Sequence, residues 1–175
     1  CAFTQTAQAQ AIEVCPPTGN LLDCNSYTKI SDAVTDAVPN SVIYLANGVY
    51  PESGIVIANK DLTIRGEDPR QTIVQAAAEP CTDANPQRVF RIVSARVRLE
   101  NITIANGCVL YSQPPDLDNP PIGAGIWNAG SLTLKHVIVQ GNNIKYNGLP
   151  VAPGTWLPMG AGIYSVGSLQ IVNSA

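Results

Sequence analysis

Apolar and polar residues alternate with period two along most of this chain, in runs too short for ordinary helices. The clearest runs are Leu62-x-Ile64, Val97-x-Leu99, Leu132-x-Leu134 and Leu169-x-Ile171, which recur at intervals of 35, 35 and 37 residues. Around the last two copies whole segments repeat. Gly123-Ala-Gly-Ile-Trp-Asn-Ala-Gly-Ser-Leu-Thr-Leu returns as Gly160-Ala-Gly-Ile-Tyr-Ser-Val-Gly-Ser-Leu-Gln-Ile. Period two puts every second side chain on one face of a strand. Gly and Asn between the runs supply the positive φ values that sharp corners need. Units of this kind bury their apolar face only by stacking on their neighbours, which defines a solenoid. The pattern predicts an all-β fold, a right-handed parallel β-helix. Leu62, Val97, Leu132 and Leu169 should form one interior ladder, and Ile64, Leu99, Leu134 and Ile171 the next.

In chain order, residues 1–25 are expected to form an extended, disulfide-closed segment, and 26–175 the β-helix with its N-terminal capping helix. Ala7, Ala9 and Ala11 alternate with Gln8 and Gln10, which suits an extended strand, although Ala and Gln also tolerate a helix. Between Tyr27 and Val38 the spacing turns helical, with Ser26 or Thr28 available as a cap and Pro39-Asn40 ending the run. Strands are expected at 42–45, 55–57, 62–64, 72–75, 89–93, 97–99, 102–104, 126–127, 132–134, 137–139, 163–164 and 169–171. Three longer loops, 76–88, 108–122 and 143–159, follow equivalent strands and should leave the coil at one corner. They carry Tyr111, Asp116, Asp118, Tyr146 and Trp156, the candidate contact surface. The repeat matches Leu132–Ile138 through Leu169–Ala175 and then stops without a helix to cover it, so Leu169 and Ile171 should lie at an open end. Either the repeats continue in a longer protein, or another copy completes the end, with the Ala7–Ala11 segment as a donated strand.

The Gly-Ala-Gly-Ile unit resembles the repeat of bacterial surface β-helix proteins, of the polymorphic outer-membrane and autotransporter passenger type. Val42-Ile-Tyr-Leu-Ala-Asn-Gly-Val-Tyr-Pro-Glu52, followed by Asp61-Leu-Thr-Ile-Arg-Gly66 and Thr72-Ile-Val74, resembles the opening coils of the pectin-lyase-like superfamily, which includes pectin methylesterases. The resemblance implies the fold and leaves function open. The later Gln-, Asp- and Arg-bearing motifs of pectin methylesterases have no counterpart here, nor do the paired aspartates of β-helix polygalacturonases.

Composition adds a compartment. The chain starts at Cys1, its only methionine is Met159, and it has five cysteines. A signal peptide removed upstream and a secreted or cell-surface location are expected. Cys15 with Cys24, and Cys81 with Cys108, are the candidate disulfides. For Cys1 the alternatives are attached lipid, a bond to another chain, or an unengaged thiol. A net charge of −3 offers no electrostatic case for nucleic acid, and no apolar run is long enough to span a bilayer.

Candidate chemistry is sparse. Asp116-x-Asp118 with Asn119 could hold Ca²⁺, but two acids in a Pro-rich loop are ordinarily solvated, and no cofactor or metal is expected. Glu67-Asp68 before Pro69 reads as turn chemistry. His136, the single histidine, occupies the corner position held by Asn101 and Asn173 in other repeats, and is expected as a substitute rung in an Asn ladder. Asn101-Ile-Thr103 fits a glycosylation acceptor, disfavoured by its place at a corner. Trp127 and Tyr164 occupy matching positions, suited either to sugar stacking, to a neighbouring chain, or to plain packing. These readings lead to a secreted structural protein without catalysis that associates head to tail, in the manner of a filament subunit. The alternatives are an adhesin or passenger fragment, and a polysaccharide-binding or polysaccharide-degrading protein with surface glycans as partners.

Overall fold

The computed structural model describes residues 8–17, 27–76, 87–111, 122–146 and 159–175. The largest sheet is built from β1 (Ala11–Val14), β2 (Ser41–Leu45), β4 (Ile55–Ala58), β5 (Leu62–Gly66), β7 (Phe90–Glu100), β10 (Ile126–Lys135), β13 (Ile163–Ser165) and β14 (Ser168–Val172). A second sheet holds β3 (Gly48–Pro51), β6 (Thr72–Gln75), β8 (Thr103–Ala105) and β11 (Ile138–Gln140). A third pairs β9 (Cys108–Tyr111) with β12 (Asn143–Tyr146). Pairings between these strands are parallel, and each return of the chain lies one rung beyond the last. This is the right-handed parallel β-helix that the repeat predicts.

Both interior ladders form in the expected register. Leu62 pairs with Val97, Val97 with Leu132 and Leu132 with Leu169; Ile64, Leu99, Leu134 and Ile171 stack in the same way. Ile64 and Leu99 are wholly buried, whereas Ile171 is 53% exposed, because nothing described covers β14. Burying one such side chain fully stabilises by about 1.5–3 kcal/mol, so the ladder's contribution fades toward that end.

The strands are longer than their sequence pattern suggests. Segments expected as separate strands around 89–99 and 126–134 run on as β7 and β10. What separates their halves is a bulge. Ser94 takes a left-handed φ of 49°, and the register shifts between Ala129 and Ser131. Gly130 sits against Ala95, where a β-carbon would run into the Ala95 carbonyl oxygen. A bulge bends its strand, so the large sheet has two panels. In the first, β4 lies against the start of β7, itself beside β10 and β13; in the second, β2 and β5 lie beside the later halves of β7 and β10, with β14 beyond. Gln87–Cys108, Ile122–Met159 and the β9–β12 pair bring the bases of the longer loops together.

Asn101, His136 and Asn173 form the predicted corner ladder, with φ of 52°, 53° and 48°. Instead of each side chain bonding the backbone of the next coil, as an Asn ladder would, side chain meets side chain and the backbones bond each other. His136 Nε2 lies 3.3 Å from Asn173 Nδ2, and main-chain bonds from Asn101 N to Lys135 O and from His136 N to Val172 O join the rungs. Thr103, the hydroxyl residue of the glycosylation sequence, is buried and donates to Pro69 O.

The helix α1 (Ile30–Asp36) is shorter than the expected 27–38, and its N-cap residue Lys29 makes no side-chain cap bond. The Glu52 carboxylate, arriving from the far side of β3, accepts from Ile30 N at 2.7 Å and Ser31 N at 2.8 Å. Lys60 Nζ donates to Val34 O, Thr35 O and Ala37 O at the other end. Held at both ends, α1 buries Ile30, Ala33 and Val34 in the core. Glu52→Ala should destabilise the protein by about 1–2 kcal/mol, with Glu52→Gln less affected, in thermal or urea unfolding.

Tyr50, in the same motif, is buried and its hydroxyl faces Val14 O at 2.9 Å and Ala46 O at 2.7 Å. Gly48 leaves room for the Pro16 ring beside it. The Gly-Val-Tyr-Pro-Glu stretch therefore anchors β1 and α1 to the first coil. Burial, followed by the charges of Glu67 and Glu13, raises the Tyr50 pKa well above its ordinary 10.0. A raised pKa means that the unfolded chain loses this proton first. The contribution is complete below pH 10 and falls as pH rises beyond it toward the folded value. Tyr50→Phe should flatten that alkaline loss in unfolding curves measured above pH 10.

Candidate functional site

The outward side of the second panel collects charge. Along β5, β7 and β10 the register places Thr63, Arg98 and Thr133 in one row, continued by Gln170 on β14. The next row runs Tyr44, Arg65, Glu100 and Lys135. Arg96, ahead of them on β7, receives Asp61: its main-chain N donates to Asp61 Oδ1 at 2.7 Å, and its guanidinium lies 3.6 Å from Oδ2. Four of the chain's ten cations thus stand on one panel of a protein whose net charge is −3.

Glu100 organises this panel. Its carboxylate is nearly buried, accepts from Arg65 Nε at 2.7 Å and lies 3.5 Å from an Arg98 nitrogen. One carboxylate thus orders two guanidinium groups, with Lys135 on the adjoining rung and Arg65 also 5.8 Å from the Tyr44 ring centre. Arg96 and Arg98 remain largely open to solvent, at 78% and 54%. Shallow depressions of about 260 Å³, lined by Asp61, Thr63, Arg96, Arg98 and Thr133, and about 410 Å³, lined by Glu13, Tyr44, Arg65 and Glu67, border these rows. Fixed cations beside hydroxyls can bind carboxylates and sugar hydroxyls together.

The first panel adds aromatic surface. Val56, Arg91, Trp127 and Tyr164 succeed one another on adjacent strands. The Arg91 guanidinium lies 4.5 Å from the Trp127 ring centre, and that of Arg88 lies 5.9 Å from it. Arg88 donates to Ile122 O and Gly123 O; burial first, then repulsion from Arg91, pulls its pKa down to about 10. Trp127 is half-buried, with its indole nitrogen closed to solvent.

The predicted contact residues divide differently. Tyr111 and Tyr146 end β9 and β12 as paired strand residues, not as loop residues. Asp116, Asp118 and Trp156 lie outside the described residues, as do Cys1, Ala7, Cys24 and Cys81. Cys15 and Cys108, one from each expected pair, are each disulfide-bonded. Ala11 sits on β1, which pairs with β2 of its own chain, and Ala9 is exposed just before it. Leu169 and Ile171 are exposed at the opposite end of the sheet. A corner depression of about 570 Å³ holds His136, Asp68 and Arg70, and Asp68 there accepts from Arg70 N and Gln71 Nε2, as turn chemistry requires. Among the described residues no group of three or more metal-ligating side chains converges. The cationic rows escape a reading of the sequence because their members lie far apart in it. The available signal is the 35-residue spacing of Arg65, Glu100 and Lys135, in step with the apolar ladders.

No protein-family model matches the chain, and no curated protein matches it in sequence. Solved structures do. A pectin methylesterase mutant in complex with a hexasaccharide is 19% identical, with a TM-score of 0.54 over 81% of this chain and 45% of its own. Pectin methylesterase PemA from Erwinia chrysanthemi is 18% identical, with a TM-score of 0.53 over 80% of this chain and 46% of its own. The chain therefore spans less than half the length of either structure. The expectation of a protein without catalysis is corrected by this likeness, since these two structures of like fold are enzymes. Register, ladders and structural likeness agree: this chain is a right-handed parallel β-helix of the pectin-lyase-like fold.

Proposed function

We propose that this protein acts on an acidic polysaccharide of the pectin class outside the cytoplasm, holding the polymer against the outward second panel. The observation that carries the reading is the stacked set Arg65, Arg96, Arg98 and Lys135, ordered around Glu100 and interleaved with Thr63 and Thr133. Neighbouring strands lie about 4.8 Å apart, so cations and hydroxyls recur at fixed steps across the panel. A linear polyuronate presents carboxylates and hydroxyls that such a grid can meet. Hydrolysis of methyl esters on that polymer enters the proposal from the two pectin methylesterases of like fold. The disulfide-bonded Cys15 and Cys108 support an oxidising compartment.

Calorimetric titration with polygalacturonate, methyl-esterified pectin and a neutral glucan tests the reading, with methanol release measured on the esterified polymer. Polygalacturonate should bind, more weakly as salt rises, and the neutral glucan should not. Equal binding of all three, or of none, would contradict it.

A further inference from the structure

We propose that Tyr44, with the Glu13 and Glu67 carboxylates, forms a subsite for an uncharged sugar ring at the β1–β2 end of the second panel. That the ring is a methyl-esterified uronate of the bound polymer rests on the function proposed above; the subsite itself does not.

Three observations meet there. Glu13, Tyr44, Arg65, Glu100 and Lys135 occupy one row across β1, β2, β5, β7 and β10, so this end continues the cationic grid. Tyr44 is 41% exposed, a large aromatic surface left to solvent. Its ring has a fixed neighbour, because the Arg65 guanidinium, 5.8 Å from the ring centre, is tied to Glu100 at 2.7 Å. An aromatic side chain already held in place loses little freedom when the apolar face of a sugar packs on it. Beside the ring lies the depression of about 410 Å³, within the size range of small-molecule sites, with Glu13 and Glu67 in its lining. Both residues are exposed, and neither carboxylate has a hydrogen bond or ion pair among the described residues. Both charges also reach the Tyr50 hydroxyl, which bonds the main chain of Ala46 in the same lining.

The charges decide what the ring can carry. An ionised carboxylate accepts from sugar hydroxyls in short, charge-assisted bonds. The same charge repels a uronate, whose own carboxylate would stand beside two others. A methyl ester or a neutral sugar keeps the hydroxyls and the apolar face and drops the charge. Across the panel the surface thus changes sign, from Arg98 and Lys135 on β7 and β10 to Glu13 and Glu67 at the far end. A polymer lying across it is read twice, as free uronate over the cations and as an uncharged ring over Tyr44.

The test starts from a protein carrying Arg96→Gln, Arg98→Gln and Lys135→Gln, in which acidic probes have lost most of the cationic grid. Saturation-transfer NMR then compares galactose, the methyl ester of galacturonic acid and sodium galacturonate at low salt. Both neutral probes should bind, and galacturonate roughly tenfold more weakly. Adding Tyr44→Ala should abolish binding of the neutral probes. Adding Glu13→Gln with Glu67→Gln instead should let galacturonate bind about as well as its ester, with circular dichroism establishing that each variant is folded. Galacturonate that binds as well as the ester before those changes, or neutral-probe binding that survives Tyr44→Ala, would overturn the subsite. The two proposals fail separately. Polygalacturonate binding by the parent protein without neutral-probe binding removes the subsite alone, whereas neutral-probe binding at Tyr44 in a protein that ignores polygalacturonate removes the polymer reading alone.

Discussion

Leu99→Ala should destabilise the protein by roughly 2–5 kcal/mol, while Ile171→Ala, in the same ladder, should cost under about 1 kcal/mol. Leu99 is wholly buried, with Ile64 on one side and Leu134 on the other. Truncation there removes transferred apolar surface and leaves a cavity that neighbouring rungs, pinned by parallel main-chain bonds, cannot collapse into. Ile171 has Leu134 on one side only and is 53% exposed. Its truncation opens no enclosed space. Urea unfolding of both variants measures the contrast. Equal losses would mean that the end of the ladder is covered in solution.

The second large effect concerns binding. Changing Arg96, Arg98 and Lys135 together to glutamine should weaken polygalacturonate binding roughly 100-fold at low salt, taking about 1 kcal/mol for each exposed charge contact. The variant's remaining affinity should also depend less steeply on salt. Stability should change little, because these side chains are largely solvent-facing and surface ion pairs contribute little. Arg65 is left intact since it serves the nearly buried Glu100 carboxylate. A variant that binds as the parent does would move the polymer off this panel.

The interior is legible in the sequence because two periodicities coincide: alternation within a strand and the 35- to 37-residue return that stacks like on like. Leu62, Val97, Leu132 and Leu169 obey both. Features that depend on contacts remote in sequence are not legible in this way. The cap of α1 comes from Glu52, 22 residues after Ile30, although Ser26 and Thr28 stand nearer to the helix. Strands β9 and β12 fall inside the expected loops because four residues of weak alternation carry little signal until they pair with each other. The joining of strand segments into β7 and β10 hinges on Ser94 and Gly130, which read equally well as a turn. On the outside, alternation marks positions as polar without saying what they do. Arg98 and Thr133 become neighbours only once the coil is wound. Read without a fold in hand, the missing catalytic motifs led to the expectation of a purely structural protein, which the two pectin methylesterases of like fold correct.

The most direct test of the central claim is a crystal structure of the protein with a galacturonate hexamer. The saccharide should lie across β5, β7 and β10 on the second panel, its carboxylates within hydrogen-bonding reach of Arg98 and of Arg96 or Lys135. A hexamer found instead in the corner depression beside His136 and Asp68, or on the side formed by β6, β8 and β11, would contradict it.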